Sequence, residues 1–245
     1  MAKHNIWMSV SDLMTGLMVI FLFVAIAYML KVRENQNVLT DYVETRQHLH
    51  EKLVNEFKGD TAEWKMTVGK DLSMKFKEPQ VLFVSGSDQL QPRFCQILDD
   101  FIPRYLTILL NDSLADRIQE IRIEGHTDDV LMKKYGNDPY LSNVLLSQMR
   151  SYNVLKYIRE MPAYQEFTEE QQKKLEFWFT ANGLSYGKAL DDEDKYVAVS
   201  QKEINRDKSR RVEFRLVTSG EEVLENFVDN IKKPKPKNYS SDERQ

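Results

Sequence analysis

"IQEIRIEGHTDD", residues Ile118 to Asp129, is followed a short way on by "NVLLSQMRSYNVLKYIREM", residues Asn143 to Met161. The first stretch is β-branched, alternates Ile118, Ile121 and Ile123 loosely and stops at Gly125, which predicts a strand with a polar end. The second has apolar residues at helical spacing and is stopped by Pro162, which predicts a helix. Towards the N-terminus, "LSMKFKE" alternates Leu72, Met74 and Phe76 with polar residues, and "VLFV" (Val81–Val84) follows; both read as strands. "QPRFCQILDDFIPRYLTILL" has a helical pattern in which Pro103 predicts a kink or break. Towards the C-terminus, "KLEFWFTANG" and "RRVEFRLV" read as two further strands. This alternation implies one α+β domain over residues 64–218. Beyond it, "EEVLENFVDNI" suggests a short helix, and "KKPKPKNYSSDERQ" is rich in Pro and charge. Residues 219–245 are therefore expected to be a partly disordered tail.

The 245 residues are 42% hydrophobic and 29% charged, a balance that suits one domain of ordinary size with appendages. A net charge of −4 gives no general attraction to nucleic acid. Cys95 is the single cysteine, so an intrachain disulfide is excluded. Lying in the amphipathic "PRFCQILDDFI", it reads as a buried small hydrophobe. Paired catalytic carboxylates, a nucleophile with its base and a metal-ligand spacing are all lacking, so no enzyme activity, metal or cofactor is expected. "HLHEK" (His48–Lys52) is not HExxH, and His126 is expected to be a hydrogen-bonded structural residue.

The N-terminus carries a different signal. Leu13 to Leu30 are eighteen residues without a formal charge; at helical rise they span about 27 Å, close to the hydrocarbon thickness of a bilayer. A transmembrane helix over 11–30, after a short segment 1–10, is the leading reading. Its rival is a cleaved signal peptide ending at "AIA" (Ala25–Ala27). Against that, the apolar run continues through Tyr28, Met29 and Leu30, and Trp7 and Asp12 precede it. Lys3 before the segment and Lys31 and Arg33 after it do not settle orientation.

Asp12 sits one step inside this segment. A carboxylate costs about 2.5–3.5 kcal/mol at the centre of a membrane helix and less near its end, so a helix cap formed by "SVSD" is one reading. The other starts from spacing: Ser9, Asp12, Thr15 and Gly16 form one small, polar stripe. Such a face suits packing against other membrane helices, with Asp12 taking and releasing a cation. Residues 31–63 then read as a helical linker. Leu39, Tyr42, Val43, Leu49, Leu53 and Phe57 recur along it at helical spacing, suited to pairing with its copy in a homodimer or to a solvated single helix.

"VLFVSGSDQL", "IRIEGHTDD", "NVLLSQMR" and "NRDKSRRVEF" occur in the order and character of the OmpA-like peptidoglycan-binding domain, and residues 72–216 resemble that family. The resemblance implies a βαβαβ-type periplasmic domain. It also implies that Asp128 accepts from the ammonium of diaminopimelate in the peptide stem and that Arg150 grips a carboxylate, as their chemistry allows. Asn143, Leu146 and Thr127 would line the same groove, and Arg206 and Arg210 match the family's basic positions. This sequence departs from the family at Ser142 and Ser209, where Tyr and Asn are usual, at Asn205 in place of a common Gly, and in a longer segment before Asn143. A rival role for Asp128 and Arg150 is a structural salt bridge between strand and helix.

An OmpA-like domain behind one membrane helix with an early aspartate resembles the MotB-like stator subunits of ion-driven bacterial motors. "SVSDLMTGLMVIFLFVAIAYM" is more similar still to the ZorB family, the MotB-like subunits of Zorya anti-phage systems. The resemblance implies a single-pass inner-membrane protein with its N-terminus in the cytoplasm and its domain in the periplasm. It implies a homodimer inside five MotA-like (ZorA-like) subunits, and transport of H⁺ or Na⁺ by Asp12 with Thr15 and Ser9 beside the path. A flagellar-type stator subunit, or a passive wall anchor without ion transport, is the alternative.

Overall fold

A computed structural model describes residues 3–77 and 79–220; the expected helix in "EEVLENFVDNI" and the tail beyond it lie outside them. The first element is one unbroken helix, α1 (Lys3–Phe57). Among the described residues it is the one helix long and apolar enough to cross a membrane. Leu13, Leu17, Ile20, Phe21 and Phe23 are exposed on all sides of it, as a helix needs whose surroundings are lipid or other helices. Asp12 lies well inside α1, so the helix-cap reading of "SVSD" fails: the backbone is already helical nine residues earlier. Thr15 Oγ1 donates to the Ser11 carbonyl at 2.8 Å, and Gly16 leaves open space beside it. The side chain of Ser9 lies outside the described part.

The domain is built on a five-stranded sheet: β1 (Met66–Val68), β2 (Ser73–Phe76), β3 (Ile118–His126), β4 (Phe179–Gly183) and β5 (Arg211–Thr218), in the order β1-β2-β5-β3-β4. Only β3 and β4 pair in parallel. Because β5 is antiparallel to both β2 and β3, the strands β2, β3 and β4 share one direction. Helices α2 (Pro92–Leu109), α3 (Pro139–Glu160) and α4 (Glu169–Trp178) make the crossovers, which parallel strands require. Residues 118–126 thus occupy a central strand, flanked by β5 and β4.

One sheet face carries Met74, Phe76, Ile121, Ile123, Val212 and Phe214 against the helices, all buried. Phe101 of α2 lies at the centre, 5.1–5.2 Å from the rings of Phe57, Phe76, Tyr105 and Phe214. The opposite face is polar, with Lys75, Glu124, His126, Arg211 and Glu213 in neighbouring register.

Five sequence expectations change. Leu49, Leu53 and Phe57, expected on a pairing face of the linker, are fully buried in the domain's own core. Arg104 of α2 holds the end of α1 there: it donates to Glu56 Oε1 at 2.7 Å, to the Glu56 carbonyl at 2.8 Å and to Asp60 at 2.9 Å. "VLFV" is not a strand, because residues Pro79–Leu82 form a helical turn. Leu82 and Phe83 are both buried although adjacent, which an alternating strand does not allow. "KLEFWFTANG" is a strand only from Phe179. Before it, Thr168 and Gln171 form a reciprocal cap that starts α4, and Leu175 and Trp178 are buried while Phe177 is 78% exposed, a helical rather than alternating pattern. Pro103 does not break α2, since eight buried side chains along that helix hold it in place. Cys95 is half-buried rather than enclosed, and burial pushes its thiol up, away from the reactive thiolate.

Candidate functional site

The site begins with two glycines. Gly125 and Gly183 are register partners on β3 and β4, and α3 crosses directly above them. A Cβ at Gly125 would stand 2.4 Å from the Ser147 carbonyl oxygen, and one at Gly183 would stand 2.3 Å from the Gln148 nitrogen. Gln148 ties the contact down: its Nε2 donates to the Ala181 carbonyl and its Oε1 accepts from the Gly183 N–H. Asp138 caps α3, accepting from the Leu141 N–H, with Pro139 in the first turn. The buried face of α3 is thereby set against the polar end of β3.

This creates a cleft of about 410 Å³. Thr127, Asp128 and Val130 come from the end of β3, and Asn143, Leu146 and Arg150 from α3; Phe83, Ser85 and Gly86 form a further wall, and Arg210 closes the floor. Six sequence-predicted residues thus meet in one place: Thr127, Asp128, Asn143, Leu146, Arg150 and Arg210. Arg206 does not line the cleft. It forms a two-pronged ion pair with Asp129, at 2.8 and 3.3 Å.

Asp128 is buried and its carboxylate is shared: Oδ2 accepts from Arg210 Nη1 at 2.8 Å, and Oδ1 accepts from the Val130 N–H at 3.0 Å. Arg150 is only 8% exposed. Its Nε donates to the Ser87 carbonyl at 2.9 Å, and its guanidinium lies over the Phe83 ring at 4.7 Å. Burial pulls it down to about 10, so it stays charged at neutral pH. Its Nη1 and Nη2 donate to no described residue and remain for a ligand. The salt bridge between Asp128 and Arg150 is therefore not made; Arg210 takes that place.

Two buried oxygens in the lining also lack partners, Thr127 Oγ1 and Asn143 Oδ1. Asn143 Nδ2 donates to the Val130 and Pro139 carbonyls at 2.8 and 2.9 Å, which fixes the amide with its oxygen as the unused acceptor. Arg150 thus has N–H donors unused at the cleft, and the residues that line it beside Arg150 hold two unsatisfied buried acceptors, at Asn143 and Thr127.

Glu124, His126 and Glu213, on the polar sheet face, stand close enough to share one ion. Arg211 Nε, however, donates to Glu213 at 2.5 Å, and Lys188 Nζ stands 3.3 Å from Glu124. With Lys75 Nζ also 3.9 Å from Glu213, three cations already neutralise both carboxylates there, which makes the group an ion network. His126 Nε2 lies 3.5 and 3.6 Å from the two carboxylates, and burial lowers its affinity for a proton.

No family model matches the chain. Among curated proteins, the Zorya protein ZorB of Escherichia coli strain Crooks is 37% identical over 231 residues, which cover 91% of this chain and 92% of that relative. The chain belongs to the ZorB family. A second ZorB, from Escherichia coli O139:H28, is 25% identical over 95% of this chain and 88% of its own length. Among solved structures, the periplasmic domain of Helicobacter pylori MotB is similar over 65% of this chain and 92% of that domain, with 21% identity and a TM-score of 0.40.

Within this ZorB-family chain, sequence reasoning missed the wall supplied by residues 80–91 and by Met132. Their signal was present in "SGS": Gly86 adopts φ +66° in a tight turn, a conformation that a strand does not use. The longer segment before Asn143 is visible in the sequence, but nothing local in it shows that Met132 folds onto the cleft.

Proposed function

We propose that this chain is the cell-wall-anchored subunit of an ion-driven inner-membrane motor in a Zorya anti-phage system, working with a ZorA-like, MotA-like partner. The cleft holds the zwitterionic end of a peptidoglycan peptide stem: the Arg150 fork takes the carboxylate, and Asp128 with Asn143 Oδ1 and Thr127 Oγ1 takes the ammonium. The observation that carries this reading is the combination of free guanidinium N–H groups and unpartnered buried acceptors in one cleft. Both are expensive to leave unmet, and a ligand carrying both charges satisfies both. Membership of the ZorB family supports the assignment to defence.

Asp12 carries the ion, H⁺ or Na⁺, while two copies of α1 stand inside a ring of five partner subunits. It is exposed on the apolar segment of α1, where a carboxylate is costly unless a partner or a cation receives it. One charge crossing 100 mV releases about 2.3 kcal/mol, and the wall-bound domain keeps the axle from turning with the ring. The N-terminus is then cytoplasmic and the domain periplasmic.

The test is phage protection by the operon carrying Asp12→Asn, with assembly of the membrane complex followed by co-purification. Protection should vanish while the complex persists. Protection retained by Asp12→Asn would make the chain a passive anchor. In parallel, retention of Arg150→Ala and Asp128→Ala on purified sacculi should fall, and full retention would remove the wall-binding assignment.

A further inference from the structure

Beside the cleft lies a cluster with no direct place in ligand binding. Asp88 follows Ser87, whose carbonyl receives Arg150 Nε. Its carboxylate is gripped from several sides: Tyr135 Oη donates to Oδ1 at 2.5 Å, Lys134 Nζ donates to Oδ1 at 3.2 Å, and Asn153 Nδ2 donates to Oδ2 at 2.9 Å. Asn153 also donates to the Asp88 carbonyl at 2.9 Å. These donors come from two other elements of the cleft. Lys134 and Tyr135 lie in the 3₁₀ turn Lys133–Tyr135, just beyond Met132 of the lining, and Asn153 lies on α3 one turn past Arg150.

The base of the loop is closed by the bridge between Phe83 and Leu90 and by the Gln91 N–H donating to the Leu82 carbonyl at 3.1 Å, but its tip has little else to hold it. Among the described residues, the hydrogen bonds of 84–89 are Val84 with Gln89, Ser87 with Val84 and Gln89 with Ser87, all internal, apart from those of Asp88 and the Ser87 carbonyl. The position of the Ser87 carbonyl therefore depends on the Asp88 cluster, and the Arg150 fork depends on that carbonyl. Two-pronged recognition of a carboxylate tolerates little displacement of the guanidinium.

We propose that Asp88 and Tyr135 are positioning residues that tie the two loop walls to α3 and so hold the Arg150 fork where it selects a carboxylate over its uncharged amide. This rests on the peptide-stem reading above. Neither residue touches the ligand; each acts through Ser87 and Arg150.

The experiment measures binding of the full chain in detergent to two soluble stem tripeptides, one with a free terminal diaminopimelate carboxylate and one with that group amidated. Wild type should prefer the carboxylate at least tenfold. Asp88→Asn and Tyr135→Phe should each lose most of that preference, by weakening the carboxylate peptide about tenfold and leaving the amide within about twofold. In an Arg150→Ala background, Asp88→Asn should have no further effect. Parallel weakening of both peptides, or effects that add in the double variant, would overturn the proposal while wild-type binding stands. Wild-type binding of neither peptide would instead overturn the stem reading and the selectivity with it. Tyr135→Phe deletes one hydroxyl from a half-exposed turn and carries the test if Asp88→Asn does not fold.

Discussion

Arg210 Nη1 donates to Asp128 Oδ2 at 2.8 Å, across 82 residues of sequence, so the aspartate ending the GHTD motif meets the cleft already paired. Arg210 is itself shared with Asp207. In the proposed stem complex, the ammonium therefore joins an existing ion pair and does not meet a bare carboxylate.

Arg210→Gln leaves Asp128 buried without its cation. The ligand-free protein should lose about 1–3 kcal/mol of stability, the usual consequence of stranding a buried charged acceptor. Addition of the stem tripeptide should then raise the melting temperature more than in wild type, because its ammonium replaces the missing guanidinium. An equal rise in both proteins, read by differential scanning calorimetry, would show that Asp128 does not face the ligand's ammonium.

Arg150→Lys should be no better than Arg150→Ala in holding sacculi. A lysine ammonium cannot donate to Ser87, stack on Phe83 and still present two parallel N–H groups. Both variants should weaken retention at least tenfold, about 1.4 kcal/mol, and a lysine variant that binds normally would show that charge alone suffices.

Gly125→Ala and Gly183→Ala press a methyl group into the backbone of α3 at Ser147 and Gln148. Each should lower stability by about 1–3 kcal/mol, as overpacking does, with an unchanged dependence on denaturant concentration. Stem-peptide binding should weaken as well, because the helix that carries Asn143 and Arg150 must lift from the sheet. Unchanged midpoints in urea titrations would mean that α3 lies further from the sheet in solution.

Acid should destabilise the domain in two stages. Burial holds the His126 ring below its ordinary 6.5, so the unfolded chain takes up a proton there before the folded one does. Stability from this group is present above pH 6.5 and falls as pH drops below it. Burial alone would raise Glu124, but contact with His126 and the Lys188 charge outweigh it and hold its carboxyl at about 2, against 4.5 ordinarily. Its contribution, on the order of 3 kcal/mol, is present above pH 4.5 and is lost as pH falls towards 2. His126→Gln should flatten the upper stage and, because contact with His126 is the main cause that holds Glu124 low, shrink the lower one as well; equilibrium unfolding between pH 7 and pH 2 reads both.

Much of this was legible in the chain itself. The apolar run with Asp12 inside it, the strand ending at Gly125, the helix stopped by Pro162 and the alternating "RRVEFRLV" are local patterns, set by side-chain period and by the φ that Pro allows. Which residues meet in the cleft was partly legible too, since Asp128, Asn143 and Arg150 sit in recognisable motifs and line it together. Where a short apolar run met a competing signal, local reading erred. "VLFV" gave way to the turn starting at Pro79, and "KLEFW" to the cap at Thr168.

Partnership was not legible. That Asp128 pairs with Arg210 and not Arg150, that Arg206 is drawn to Asp129, and that Asp88 joins three walls of one cleft are relations between residues 46 to 82 positions apart. The same holds for Leu49, Leu53 and Phe57, whose spacing marks an apolar face without saying what covers it. Period and capping act over one or two turns of chain, so sequence carries them directly. Ion pairing and burial depend on which surfaces the folded chain brings within a few ångströms; the close crossing of α3 over Gly125 and Gly183 fixed where Asn143 and Arg150 stand, and the packing of α2 fixed what covers Leu49, Leu53 and Phe57.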